Sequence, residues 1–161
     1  MAHGSAERQE FQRDIGLLIV RLGFGLGFFW YHGLPKLRGG PSSWENTGNV
    51  MANFGMGFGA EWWGLAAAVS ECIGGLLIAA GFLFRPAAVA IALVMSVAAT
   101  VHVVTGEGSP AHSGKNAFLF YGLLFIGPGR YSVDALLRRR RVGSGEPAAS
   151  CDPVHASAAG D

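Results

Sequence analysis

The chain has 161 residues, half of them hydrophobic and 14% charged, with 25 glycines and a formal net charge of +1. That balance excludes an ordinary soluble globule and gives no ground for a nucleic-acid surface. The charges crowd into the first fourteen residues, a few short connections and the tail after Arg130, leaving long apolar blocks that read as membrane spans.

The opening MAHGSAERQEFQRD is polar and reads as a cytoplasmic segment over 1–14, with no cleavable signal peptide. A first span is predicted over Ile15–Leu37, carrying Arg21 early and ending in FFWYHGLPKL, where aromatics give way to His32 and Lys36. The segment after it, RGGPSSWENTGNVMANFGMGFGAE, predicts a short interfacial helix in the first outer loop. Ser43 is its expected cap, with Trp44, Val50, Met51 and Phe54 resting on lipid.

The second span, Trp62–Phe84, is interrupted only by Glu71, and the break before the third is expected at Arg85. Pro86–Val104 forms the third, with a proline in its first turn and His102 near its far end. The fourth has only ten continuous apolar residues, Ala117–Ile126, and reaches spanning length by starting at Ser109-Pro110, an N-cap and first-turn pair. The predicted fold is therefore all-α, a polytopic membrane four-helix bundle over 15–137. SVDALLRRRR, right after Tyr131, is expected to form a short interfacial helix, and a basic and then disordered cytoplasmic tail occupies 138–161.

Four spans put Arg8, Arg13, Arg85, Arg130 and Arg138 to Arg141 on one side, against Lys36, Arg38 and Lys115 on the other. Positive residues concentrate on the cytoplasmic side, so both termini are expected there, in the inner membrane of a bacterium.

Charges inside spans are costly, about 2.5–3.5 kcal/mol for a carboxylate at mid-bilayer, so Glu71 is expected to face the bundle interior with a partner. Counting helical rise from the cytoplasmic ends puts Glu71 at about 20 Å, His102 at about 24 Å, His32 at about 26 Å and Arg21 near 9 Å. An Arg21–Glu71 pair then needs a long side-chain reach and helix tilt. Arg21 and His32 are about 20° apart around a straight α-helix, and Lys36 follows one turn on, which predicts an interior polar stripe. Gly16, Gly23 and Gly27 are spaced for close helix contact, as are Gly74, Gly75 and Gly81.

Glu71, His32 and His102 are the candidate catalytic residues, with Arg21, Lys36 and Asn116 as candidate ligand-binding residues. His and Glu exchange protons readily, and the aromatics offer an apolar pocket, which favours a quinone or similar small redox ligand. Imidazole and carboxylate also admit a metal, a weaker reading for which no ligand set is assigned. Interhelical hydrogen bonding without any ligand is the structural alternative. Cys72 in span two reads as a small apolar residue beside Glu71, and Cys151 lies in the tail, so no C-x-x-C pair exists.

HGLPKL at the end of span one, AVSECIGGLLIAAGFLFRPAA in span two and GPGRYSVDALL after the last span, in that order, resemble the DoxX family of small bacterial four-helix membrane proteins. The resemblance covers roughly residues 15–137. It implies a four-helix bundle associated with redox chemistry, as in quinone-linked sulfur oxidation and oxidative-stress complexes, and therefore other membrane or redox subunits as partners besides the lipid bilayer. A non-catalytic structural or assembly subunit is the competing implication, favoured by loops too short for a soluble catalytic domain. Transport is disfavoured because four helices make a small pathway unless a homo-oligomer forms.

Overall fold

Apolar segments in lipid must satisfy their backbone polar groups internally, and helices packed on one another do so. The computed structural model describes residues 2–143, whose regular elements are all helical. Helix α1, Ala2–Gly27, continues without a break through a π-helical segment, Phe28–Gly33, into a short α2, Leu34–Arg38. Helix α3, Gly40–Gly48, and a 3-10 turn, Asn49–Phe54, follow. The chain is completed by α4, Ala60–Ala80, α5, Phe84–Thr105, α6, Pro110–Ile126, and α7, Val133–Gly143. The tail expected to be disordered from Gly143 onward lies, beyond that residue, outside the described residues.

Helix α1 packs on α4, α4 on α5 and α5 on α6. Phe28 meets Phe120 of α6 edge-on, with ring centroids 4.9 Å apart, which closes the ring of four. Phe28, Ile78, Phe84, Ile91, Met95, Phe120 and Leu123 fill the shared core. The predicted all-α bundle with a short helix in its first loop is the fold observed. Three helices, Ser5–Arg38, Ala60–Ala80 and Phe84–Thr105, are long and apolar enough to cross a membrane by length and composition. Helix α6, at 17 residues and about 25 Å, is shorter and lies against α5.

Several boundaries moved. Span two ends at Ala80 rather than Phe84, because Gly81 (φ 67°) takes the left-handed conformation and donates back to Ile78, stopping the helix. Phe84 and Arg85 instead belong to the first turn of α5. Helix α3 starts after Gly39 with no side-chain cap, so Ser43 lies within the helix and does not cap it. The Ser109-Pro110 pair holds, since the Ser109 hydroxyl accepts from the His112 N–H at 3.3 Å.

Helix α1 and α4 touch backbone to backbone, through the expected Gly75 on α4 but not through the glycines expected on α1. Nothing lies within 4 Å of a Cβ placed on Gly16, Gly23 or Gly27. A Cβ on Gly25 would instead stand 2.6 Å from the Gly75 carbonyl, and one on Gly33 would collide with the Cys72 backbone. Eight residues of straight α-helix put Gly25 and Gly33 about 80° apart. The π segment, whose Leu34 N–H reaches back five residues to the Phe29 carbonyl, absorbs one extra residue and brings them within about 20°. The stripe facing α4 is therefore Gly25, Phe29, Gly33 and then Lys36, and the expected stripe of Arg21, His32 and Lys36 does not form.

At the end of the bundle where α1 begins and α6 ends, side chains of the last connection lock the helices together. The Asp134 carboxylate accepts from the Leu83 and Phe84 N–H groups, both at 3.0 Å, and so caps α5. Asp14 of α1 accepts from the Arg130 N–H at 3.2 Å. Arg21, only 1% exposed, donates to the Tyr131 carbonyl, and its guanidinium fills the space a side chain on Gly81 would need.

Candidate functional site

The opposite end of the bundle holds the polar residues. Lys36 Nζ is 2.7 Å from Glu71 Oε1, with the Glu71 side chain fully buried and that of Lys36 31% exposed. The lysine is placed there by the π segment, which turns α2 toward α4, and by Trp44, whose Nε1–H donates to the Lys36 carbonyl at 3.0 Å. Trp44 is fixed in turn because Gly48 and Gly64 let α3 and α4 meet with their backbones in contact. Lys36, a candidate ligand-binding residue in the sequence, is here the ion-pair partner of the fully buried Glu71 carboxylate.

Glu71 Oε2 has no hydrogen-bond partner among the described residues, although it is shut off from solvent. A buried acceptor left unmet costs roughly 1–3 kcal/mol, more when charged. The residue borders a cavity of about 520 Å³ between the α3 and 3-10 segment, α4 and α5. Its walls are apolar, including Met51, Trp63, Leu93 and Val97, and its polar positions are Lys36, Thr47, Ser70, Glu71 and His102. A mostly apolar lining with a few polar groups is the general make-up of a small-molecule site.

Of the sequence-predicted residues, Glu71, Lys36 and His102 meet at this cavity. His102 is half-buried against Gly108, whose left-handed backbone (φ 79°) leaves room for the imidazole. His32 does not line the cavity. It stacks on Phe28 at 4.8 Å and on His112 at 5.8 Å between ring centroids, facing α6, and stays within electrostatic range of Glu71 and Lys36. Asn116 is buried on α6, away from the cavity walls. Arg21, level with Gly81 at the other end, is ten residues of α4 or about 15 Å from Glu71, so the Arg21–Glu71 pair is replaced by Lys36–Glu71.

His112 was not foreseen, although it sits four residues before Asn116 and thus on the same helical face, which was the available signal. Ser70, beside Glu71, is a second such residue. Cys72 is buried and reduced, packed under Gly33, and so serves as a contact surface for α1. Among the described residues no group of three or more His, Cys, Asp or Glu side chains converges as metal ligands would.

A family model described as DoxX matches residues 16–103, from the middle of α1 to the last turn of α5. The matched stretch contains Lys36, Glu71 and His102 and ends before GPGRYSVDALL. No curated protein and no solved structure matches the chain.

Proposed function

The chain belongs to the DoxX family of membrane proteins, and on that premise we propose that it is the membrane subunit of a redox system. It binds a quinone or similar small redox ligand in the cavity bordered by Lys36, Glu71 and His102. The observation that carries this reading is the unmet Oε2 of a fully buried carboxylate beside an apolar cavity. A hydroxyl on a reduced ring would satisfy that oxygen, and the apolar walls would hold the ring and its tail.

Reduction of a quinone consumes two electrons and two protons. The electrons come from a partner redox subunit, and Glu71 and His102 are the groups placed to exchange protons with the two ring oxygens. Lys36 holds the carboxylate and balances its charge. On this reading His32 and His112, stacked on the α6 side, continue the polar path toward the loops.

We place the bundle end with Arg13, Arg85, Arg130, Arg138 and Arg139 in the cytoplasm of a bacterial cell, by the positive-inside rule. Helix α6 then makes a fourth crossing, and the cavity opens in the outer half of the membrane.

The test is to purify the protein in mild detergent, extract it for quinone, and repeat with Glu71→Gln and His102→Ala. Quinone in the wild type and its loss in both variants is expected. A wild type that neither retains nor takes up quinone overturns the reading, and variants that lower yield while ligand content stays constant favour the structural subunit.

A further inference from the structure

At the basic end a second cavity, about 650 Å³, lies between the start of α1, the α4–α5 turn, the end of α6 and α7. Five arginines border it: Arg13, Arg85, Arg130, Arg138 and Arg139. Three carboxylates face them, Glu10, Asp14 and Asp134, which leaves a formal charge of 5 − 3 = +2.

The carboxylates are largely committed elsewhere. Asp134 accepts from the two backbone N–H groups at the start of α5, and Asp14 accepts from the Arg130 N–H. Arg13 reaches Asp14 only at 3.9 Å, and Arg85, Arg130, Arg138 and Arg139 make no ion pair among the described residues. Guanidinium groups gathered this way lack the partner their planar donor set suits best, a phosphate or carboxylate.

The rim of the cavity is apolar on its outer side. Leu83 and Ile126 border it and are 51% and 61% exposed, and their chain neighbours Phe82 and Phe125 are exposed as well. A free anion needs no such rim, but a molecule with a phosphate head and hydrocarbon tails does.

We propose that this cavity is a headgroup site for an anionic phospholipid, its phosphate held by Arg85, Arg130, Arg138 and Arg139 and its acyl chains lying along Leu83 and Ile126. The site is separate from the redox cavity and does not depend on it. The lipid phosphate would add a second bridge between α7 and the α4–α5 turn, beside the Asp134 carboxylate that already accepts from Leu83 and Phe84.

The full chain in neutral detergent is titrated with short-chain phosphatidylglycerol, phosphatidylcholine, glycerol 3-phosphate and inorganic phosphate, following the melting temperature and lipid retention by native mass spectrometry. Phosphatidylglycerol is expected to raise the melting temperature and bind at least tenfold more tightly than phosphatidylcholine, with little response to the two soluble anions. Arg85→Gln/Arg130→Gln should lose at least tenfold of that affinity. Arg138→Gln/Arg139→Gln, whose positions on α7 are exposed and outside the core, should lose a similar factor without loss of the fold. Arg38→Gln/Lys115→Gln, which removes equal charge at the other end, should lose none. Equal binding of phosphatidylcholine, an equal response to inorganic phosphate, or unchanged affinity in Arg138→Gln/Arg139→Gln overturns the proposal.

Discussion

Lys36 Nζ stands 2.7 Å from Glu71 Oε1, and only the lysine end of the pair has any access to solvent. Removing one member of a buried pair strands the other. Lys36→Met should therefore cost about 3 kcal/mol, the low end of the usual range because the ammonium is partly exposed. Glu71→Gln should cost less, since the amide still occupies the site without a charge, and Lys36→Met/Glu71→Gln should recover most of the loss. Unfolding free energies in mixed micelles, arranged as a double-mutant cycle, check the order.

The π segment is the device that turns Lys36 toward Glu71. Because it accommodates one residue more than an α-helix would, deleting exposed Tyr31 should convert it to α-helix while leaving Gly25, Gly33 and Lys36 on one face. Deleting Leu22, five residues before Gly27 in the regular helix, should rotate everything beyond it by about 100° relative to Arg21. Melting temperatures in detergent should fall little for the first deletion and by much more for the second.

Close approach of α1 and α4 rests on Gly25 and Gly33. Gly33→Ala drives a methyl into the Cys72 backbone, which cannot move aside, and should cost at least about 2 kcal/mol. Gly23→Ala meets open space and should be neutral or stabilise by up to about 1 kcal/mol through helix propensity. The contrast is read by thermal unfolding of the two variants side by side.

Among the described residues Leu83 is the one non-glycine with positive φ, 45°, and the Asp134 carboxylate accepts from its N–H. Asp134→Ala removes the cap from α5 and should cost about 1–2 kcal/mol. Leu83→Gly relieves the strained backbone and should leave stability unchanged or raise it by about 1 kcal/mol. Hydrogen exchange at the Phe84 amide should accelerate in the first variant alone.

What the sequence disclosed was mostly local. The apolar blocks, the Ser109-Pro110 start of α6 and the isolation of Glu71 and His102 in apolar helices depend on neighbouring residues only. Partnership was harder. Rise counted from Ile15 and Phe84 puts Gly33 about 9 Å above Cys72, yet the two touch. Straight α-helical phase placed His32 and Lys36 on one stripe, because a π turn has no residue signature comparable to proline in a helix. The error fell on the stretch that selects the partner of Glu71, so a strained Arg21–Glu71 pair was weighed and the Lys36–Glu71 pair was not. The depth counted for His102 puts it near Glu71, and the two line one cavity, because α5 is a regular helix to its end.

A redox ligand in the cavity beside Glu71 is open to a binding measurement. Trp63 lines the cavity, so quinone entering it should quench the fluorescence of that tryptophan. A short-tailed quinone titrated into the detergent-purified protein should give saturable quenching that disappears in Trp63→Phe and weakens at least tenfold in Ala98→Phe, which fills the cavity wall. Quenching that never saturates, or that persists unchanged in Ala98→Phe, would contradict the account.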